Sequence, residues 1–170
     1  VTQAINDELG VDGRTYLEKI IQLQIDVPPT ARTAIHQMFL EQLNQIIEPN
    51  DLRENQVQYF CNVFHDGLKH FLVTPRAVKK LINMLRFAYP PLREEVNVVD
   101  MVSVACLTTF VPQVIPIIAM NQSEFTGIGS GSFWGGHDDR KEREQFHRSW
   151  LNSLSESDRQ PVEAIVRRIF

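Results

Sequence analysis

The sequence predicts an all-α fold, a bundle of helices without a β-sheet. Apolar residues recur at three- and four-residue steps through most of the 170-residue chain, which is the period of an amphipathic helix. Prolines and capping residues separate these periodic stretches, as they do where helices begin and end. Strand-like alternation of apolar and polar residues is confined to a weak stretch near residues 20–27.

Three helices are predicted between residues 30 and 92. The apolar positions of the first two are Ile35, Met38, Phe39, Leu43, Ile46 and Ile47, then Val57, Phe60, Cys61, Phe64, Leu68 and Phe71. The third helix begins with Thr74 as N-cap and Pro75 at the first helical position, and Pro90-Pro91 ends it.

A fourth helix is predicted over roughly Val98–Phe110, with Asn97 or Asp100 as its cap. A kinked continuation covers Val114–Ala119, and Pro116 is the expected cause of the kink.

A glycine-rich segment, residues 121–137, follows these helices. Five of the eight glycines fall there, so a flexible loop is expected. Phe133-Trp134 within it would hold the loop onto the bundle or grip a partner. Asp139–Leu154 is predicted as a charged helix, and Ser155-Glu156-Ser157-Asp158 as the start of a last helix that ends at Phe170.

Composition and cysteine usage indicate a globular protein of a reducing compartment. The chain is 43% hydrophobic and 22% charged, and this hydrophobic content excludes a disordered chain. Its net charge of -4 excludes a strong general attraction to nucleic acid. Cys61 and Cys106 are predicted as buried free thiols. No signal peptide is recognisable, and the apolar stretch Val98–Met120 contains Asp100 and two prolines, so we expect no membrane span and a cytoplasmic location. Because Val1 is not Met, we expect a chain that begins within a longer protein or after processing.

The motifs of common catalytic and metal sites are absent from the sequence. The phosphate-loop motif, which is Gly, then any four residues, then Gly-Lys-Ser/Thr, does not occur in the sequence. The glycine-rich segment Gly127–Gly131 lacks the lysine that neutralises phosphate charge. Val96–Asp100 imitates a magnesium-binding acid after an apolar run, but Asn97 interrupts the run and a capping Asp is favoured. Asp66 and His70 share a helical face without a third ligand, so solvated or capping roles are favoured over zinc. We therefore expect no catalytic residue, no metal site and no cofactor within this chain.

The helix that begins at Thr74-Pro75 carries an unusual basic face. Arg76 lies in its first turn, where a cation opposes the helix macrodipole at a cost of about 0.3–1 kcal/mol. The polar residues that follow at helical spacing on one side are Lys79, Lys80, Asn83 and Arg86. A bound anion would remove the conflict, because free N–H groups, the dipole and the guanidinium would all favour it. The alternatives are a solvated basic face, a site for phosphate or a partner carboxylate, and a nucleic-acid surface.

Two motifs resemble a known family. They are Leu72-Val73-Thr74-Pro75-Arg76-Ala77-Val78-Lys79-Lys80-Leu81-Ile82-Asn83 and Glu95-Val96-Asn97-Val98-Val99-Asp100. In this order they resemble the C-terminal half of the KAP family of P-loop NTPases. The segment Tyr16–Gln22 before Pro28-Pro29, the helix Val98–Pro112 and the terminal Ile169-Phe170 are also similar to that family. The resemblance covers nearly the whole chain except the glycine-rich loop, and it departs from the family at Lys80, where Arg is more frequent.

This resemblance implies a bundle of about six to eight helices, similar to the lid region of AAA-like and signalling P-loop NTPases. It divides the chain into a core–lid junction at 1–29, the helical bundle at 30–120, the loop at 121–137 and completing helices at 138–170. The nucleotide-binding core is expected upstream of Val1, so ATP and Mg are expected cofactors of the complete protein. Many members of the family carry membrane spans in that core, and bacterial members are associated with phage exclusion.

The same resemblance implies roles for particular side chains. Arg76 corresponds to the second-sensor arginine of related NTPases, which contacts the terminal phosphate from the lid, and Lys79 would be a second anion contact. Arg14 and Lys19 would lie at the core–lid junction and touch nucleotide or a neighbouring subunit, or else be surface charges. The apolar residues expected in the core beside them are Leu17, Ile20 and Ile21.

The leading functional hypothesis is a regulatory helical lid that senses nucleotide phosphate and couples hydrolysis to conformational change, without being catalytic alone. The alternative is a helical protein–protein interaction adaptor with no nucleotide role, and a nucleic-acid surface along Arg76–Arg86 is the third hypothesis. The expected partners are the N-terminal nucleotide-binding core and further copies or other proteins, with no specific nucleic acid.

Overall fold

A computed structural model describes residues 2–21, 28–48, 54–126 and 137–170 of the chain. Within these ranges the chain forms ten helices and no strand, which confirms the all-α prediction. The helices are α1 Thr2–Leu9, α2 Gly13–Ile20, α3 Arg32–Leu43, α4 in three continuous parts (Glu54–Val63, Phe64–Leu68 and Lys69–Phe71), α5 Pro75–Leu92, α6 Val98–Phe110, α7 Val114–Met120, α8 Gln122–Thr126, α9 His137–Asn152 and α10 Glu156–Ile169. The middle part of α4 is a π-helical turn. The number exceeds the expected six to eight because short helices such as α7 and α8 are separate elements.

Some sequence predictions concern residues outside these ranges. The glycine-rich loop is one: Gln122–Thr126 is helical, and residues 127–136, which include Phe133-Trp134, lie outside the described residues. The weak strand-like stretch is another, because Ile20 belongs to α2 and residues 22–27 lie outside the described part.

One hydrophobic core joins α3, α4, α5, α6 and α10. Each of these helices contributes at least one fully buried side chain, and examples are Phe39, Leu68, Leu81, Leu107 and Ile165. Burying a side chain of this size stabilises the fold by about 1.5–3 kcal/mol relative to its exposure to water. Helix α5 packs against both α3 and α6, and the π-helical turn of α4 packs against α10. The core therefore fixes the position of α5, the helix with the basic face.

Gly67 allows the close approach of α4 and α10. It is buried in the π-helical turn, and a Cβ atom added there would lie 2.9 Å from the Pro161 carbonyl oxygen and would collide with the side chain of Ile165. A larger residue would therefore push the two helices apart.

Two helix ends differ from the sequence prediction. Helix α5 continues through Pro90 and Pro91 instead of ending before them. The prolines leave the carbonyls of Arg86 and Phe87 without helical donors, but both residues are exposed and water can bind these carbonyls. Helix α3 ends at Leu43, one turn earlier than its apolar pattern suggested.

The break between α6 and α7 lies at Val111, so the expected kink at Pro116 is wrong. Val111 has φ −135° and ψ 56°, and it precedes Pro112, whose ring disfavours helical backbone at the residue before it. Pro116 lies in the first turn of α7, where a missing N–H costs little. The apolar stretch therefore forms two short helices, and no helix in the described ranges is long and apolar enough to cross a membrane.

Two predictions of burial are wrong. Cys61 is exposed, whereas Cys106 is buried, and burial raises the pKa of the Cys106 thiol. Helix α4 turns Phe64, Leu68 and Phe71 toward the core and leaves positions 57 and 61 outside. Ile20 and Ile21, which were expected in the core, are 59% and 50% exposed. They lie at the end of α2, whereas α2 packs on α1 through its start, around the buried Gly13.

Candidate functional site

The first turn of α5 leaves one backbone N–H group free among the described residues. The Ala77 N–H donates to Thr74 Oγ1 (3.1 Å), so Thr74 is the N-cap, as predicted. The Val78 N–H donates to the Thr74 carbonyl oxygen (3.2 Å), and Pro75 has no N–H. The Arg76 N–H is the remaining donor. An anion at this helix start would thus meet one free N–H rather than several.

The Arg76 side chain is exposed and forms no hydrogen bond or ion pair with any residue that the structure describes. The first turn of α5 also contains no acidic residue. The guanidinium therefore opposes the helix macrodipole without compensation, at a cost of about 0.3–1 kcal/mol. A planar cation with free donors beside a helix N-terminus can bind an anion in bidentate geometry.

Four of the residues on the predicted basic face form a stripe along α5. Arg76, Lys79, Asn83 and Arg86 are exposed, and helical geometry places them within about 80° of the circumference and over about 15 Å of length. None of the four side chains forms a hydrogen bond or ion pair within the described part of the chain. A different side of α5 carries its buried residues, which are Val78, Leu81, Ile82, Leu85 and Tyr89. The stripe is therefore a positively charged surface that no described residue covers.

Lys80, also expected on this face, is bound to the end of α6. Its Nζ donates to the Thr109 carbonyl oxygen (2.9 Å) and lies 5.7 Å from the centre of the Phe110 ring. The last carbonyls of a helix lack helical donors and carry partial negative charge, so a cation there is stabilising. Lys80 thus links the start of α5 to the end of α6, a contact that sequence spacing could not reveal.

Arg14 and Lys19 lie on α2, and both are exposed. Arg14 Nε is 3.8 Å from Glu18 Oε1, a pair whose side chains are 85% and 71% exposed. Such an i, i+4 pair contributes about 0.3–0.5 kcal/mol at most. Neither Arg14 nor Lys19 forms a hydrogen bond or ion pair with α5 in the described ranges, so the structure leaves α2 and the stripe as two separate charged surfaces.

A cavity that the sequence did not predict lies between α3, α4 and α10, with a volume of about 670 Å³. Its polar lining consists mainly of Arg32, His36, His65, Asp66, Lys69 and His70. Three of the five histidines of the chain therefore line one space. The sequence signal for it is weak: two basic pairs at i, i+4 spacing, Arg32 with His36 and His65 with Lys69.

The sequence model of one protein family matches the first part of the chain. It is described as the KAP family P-loop domain, and the match spans residues 1–92. The chain belongs to the KAP family. No curated protein and no solved structure matches the chain. KAP membership indicates an NTPase-related function.

The KAP match ends with the last residue of α5 and so contains both the stripe and α2. The motif Leu72–Asn83 lies inside it, whereas Glu95–Asp100 and the terminal Ile169-Phe170 lie outside. The KAP resemblance is therefore confirmed for residues 1–92 and not for the remainder of the chain. No P-loop motif occurs in the 170 residues of this KAP sequence.

Asp100, outside the KAP match, is a hydrogen-bond acceptor within the bundle. Asn97 caps α6 by accepting a bond from the Val99 N–H (2.8 Å), so Asp100 is not the cap. Asp100 Oδ1 lies 2.7 Å from the Tyr59 hydroxyl, which is also 2.6 Å from the Arg168 carbonyl oxygen. The single hydroxyl proton can serve one acceptor at a time. Burial and the Asp100 carboxylate raise the pKa of Tyr59.

Asp66 forms an ion pair and His70 a hydrogen bond with α10 of this KAP chain. Arg168 Nε donates to Asp66 Oδ2 (3.0 Å), and His70 Nε2 lies 3.0 Å from Asp158 Oδ1. The Ser155 hydroxyl also donates to Asp158 (2.6 Å), and this bond together with His70 lowers the pKa of the Asp158 carboxyl. Asp66 and His70 are partly exposed, as a solvated role implies, but each also has a partner on a helix distant in sequence, which the expectation of solvated or capping roles did not include.

Proposed function

We propose that this KAP chain is the helical regulatory lid of a P-loop NTPase and that Arg76 senses the terminal phosphate of the bound nucleotide. One observation supports this most directly: Arg76 is an exposed guanidinium without a partner among the described residues, in the first turn of a helix inside the KAP match. ATP and Mg bind in the nucleotide-binding core with which the lid works. The lid supplies neither a catalytic base nor a magnesium ligand.

The physical basis of sensing is the change of charge on hydrolysis. A terminal phosphate spreads its charge over several oxygens, and a guanidinium fork can bind two of them. The bound phosphate also relieves the conflict between Arg76 and the macrodipole of α5. When the phosphate leaves, both stabilising effects are lost and α5 is free to move relative to the core.

Three other charged residues have roles in this proposal. Lys79 lies one turn beyond Arg76 on the same stripe and provides a second contact to phosphate. Arg14 and Lys19, exposed on α2, contact the nucleotide-binding core or a neighbouring subunit. The protein acts in the cytoplasm, where ATP is available.

Hydrolysis of ATP by the KAP protein that contains both this chain and a nucleotide-binding core tests the proposal. Arg76→Ala is expected to lower kcat by about tenfold or more, because one donor to the transferred phosphoryl group is lost. Arg167→Ala is the matched control, since Arg167 is an exposed arginine on α10 whose only ion pair with a described residue is to Glu163 one turn away.

The two variants separate sensing from a general effect of charge. Equal kcat values for Arg76→Ala and the unmodified protein would contradict the sensor role. An equal loss in Arg167→Ala would show that total charge, not position, matters. Far-ultraviolet circular dichroism of Arg76→Ala checks that the helices are intact.

An adaptor function without nucleotide is the second candidate, and one observation favours it. Phe87, next to Arg86 on α5, is 83% exposed, and Met120 at the end of α7 is 82% exposed. Exposed large apolar side chains are frequent in protein-binding surfaces. Unchanged ATP hydrolysis in Arg76→Ala, combined with loss of a protein partner in Phe87→Ser, would favour the adaptor.

A further inference from the structure

The cavity between α3, α4 and α10 has two positive charges that no described residue neutralises. Arg32 on α3 and Lys69 on α4 line the cavity, and neither side chain forms an ion pair or hydrogen bond within the described ranges. The acid in the lining, Asp66, is already paired with Arg168 of α10. The lining therefore has an excess of positive charge, which favours an anionic occupant.

A histidine in the same lining has an unsatisfied polar atom. His36 Nε2 is buried and has no hydrogen-bond partner in the part of the chain that the structure describes. The His36 ring is held edge-on to Phe64, with ring centres 5.3 Å apart and planes at 86°. An unsatisfied buried nitrogen destabilises the fold unless a ligand or water completes its bonding. This nitrogen is closed off from solvent, so the ring of His36 would have to turn to offer it to a ligand beside Arg32 and Lys69.

The donor set suits an anion better than a metal ion. Arg and Lys side chains have donors and no acceptor, so they repel a cation and bind oxygen anions. His70 is already paired with Asp158 (3.0 Å), which leaves His36 and His65 as the imidazoles available to a ligand. Two imidazoles, one guanidinium and one ammonium form a typical set of phosphate donors.

The shape of the cavity is fixed by the core. Gly67 brings α4 against Pro161 and Ile165 of α10, and Pro161 also lines the cavity. Ile165 is fully buried, so the distance between the two helices is set by tight packing. The site therefore exists before a ligand binds.

We propose that this cavity binds a small organic phosphomonoester. Its volume of about 670 Å³ is in the usual range of small-molecule sites and is larger than a phosphate ion alone requires. Arg32, Lys69 and the two imidazoles bind the phosphoryl oxygens, and the remaining space holds the organic part. The space between the three helices can hold a small molecule, and binding of an acidic peptide in its place is one outcome that the test distinguishes. This inference does not depend on the function proposed for Arg76.

Calorimetric titration of the complete chain with ribose 5-phosphate, inorganic phosphate and ribose tests the proposal. We expect saturable binding of one ribose 5-phosphate, weaker binding of inorganic phosphate and no binding of ribose. Lys69→Gln and Arg32→Gln should each weaken ribose 5-phosphate binding by about tenfold or more, because each removes a charge-assisted hydrogen bond. Lys141→Gln and Arg167→Gln, which remove exposed cations outside the cavity, should leave the affinity unchanged.

A third variant separates ligand binding from a structural role. His36→Phe keeps an aromatic ring against Phe64 but removes both ring nitrogens. We expect weaker ribose 5-phosphate binding together with a higher Tm of the ligand-free chain, because the unsatisfied nitrogen is gone. A residue that served only the fold would not change these two quantities in opposite directions.

Four results would overturn the proposal. They are the absence of saturable ribose 5-phosphate binding, equal weakening by the control variants, binding of an acidic peptide but not of ribose 5-phosphate, and loss of binding in Arg76→Ala but not in Lys69→Gln. The last result would place the anion at the start of α5, and the function proposed for Arg76 would survive it.

Discussion

Replacing Gly67 with Ala is expected to destabilise the chain, although alanine is the better helix former. In a helix interior, Ala is favoured over Gly by about 0.8–1.0 kcal/mol. Against this gain, the new methyl carbon would lie 2.9 Å from both the Pro161 carbonyl oxygen and Ile165 Cδ1, and closer still to Ile165 Cγ1. Favourable contacts between carbon atoms lie at about 3.5–4.0 Å, so the neighbouring atoms must move by roughly an ångström.

Neither neighbour can move at low cost. The side chain of Ile165 is completely buried, and the Pro161 oxygen belongs to the backbone of α10. An extra methyl group in a packed core costs about 1–3 kcal/mol or more. Because the new methyl would meet a backbone oxygen and a buried side chain at under 3.0 Å, the cost lies in the upper part of that range, about 2–3 kcal/mol. After the gain in helix propensity of about 1 kcal/mol is subtracted, the free energy of unfolding should fall by about 1–2 kcal/mol. For a chain of this length, that corresponds to a fall in Tm of about 2–8 °C.

Urea unfolding followed by far-ultraviolet circular dichroism measures this change. The Ile165→Ala background is the control, because it removes the two side-chain atoms that the new methyl would meet. Gly67→Ala should cost less in that background, while the Pro161 oxygen prevents complete relief. Equal or greater stability of the single variant Gly67→Ala, or an unchanged cost in the Ile165→Ala background, would refute the close-packing interpretation.

Two further predictions concern electrostatics. Arg76→Gln should raise the free energy of unfolding by about 0.3–1 kcal/mol, because the cation that opposes the α5 macrodipole is removed; a lower urea midpoint would contradict this. The lowered pKa of Asp158 means that its carboxylate stabilises the fold above the ordinary Asp pKa, and this contribution is lost as pH falls through the lower folded-state value. Asp158→Asn should therefore be less stable than the unmodified chain at about pH 5, and the difference should shrink below about pH 3.9. Urea midpoints measured across this range check the sign, and a difference that is constant with pH would disprove it.

The features that the sequence predicted well depend on neighbouring residues. Thr74 caps α5 and Pro75 is its first residue. At a helix start, the N-cap hydroxyl reaches the N–H three positions later, and this contact does not depend on distant parts of the chain. The same local chemistry makes Asn97 the cap of α6. The basic stripe of α5 also follows from spacing alone, since helical geometry places Arg76 and Arg86 on one side.

The features that the sequence did not predict depend on residues far apart in the chain. The partner of Lys80 is a carbonyl at the end of another helix, 29 residues later. The partners of Asp66 and His70 come from α10, more than 80 residues away. The cavity has the same origin, because it exists only where α3 and α4 meet α10. Exposure of Cys61 was missed since helical periodicity gives the width of an apolar face only approximately.

The contact between Lys80 and Thr109 has a mechanical consequence. Residues 93–97 connect the end of α5 to the start of α6. The Lys80–Thr109 hydrogen bond joins the start of α5 to the end of α6. Near the same place, the ring of Phe110 stacks on Phe71, with ring centres 5.6 Å apart. A displacement of the first turn of α5 would therefore also act on the end of α6. Arg93, which directly follows the other end of α5, is paired with Glu48, so a displacement along α5 would also act on the residues that follow α3.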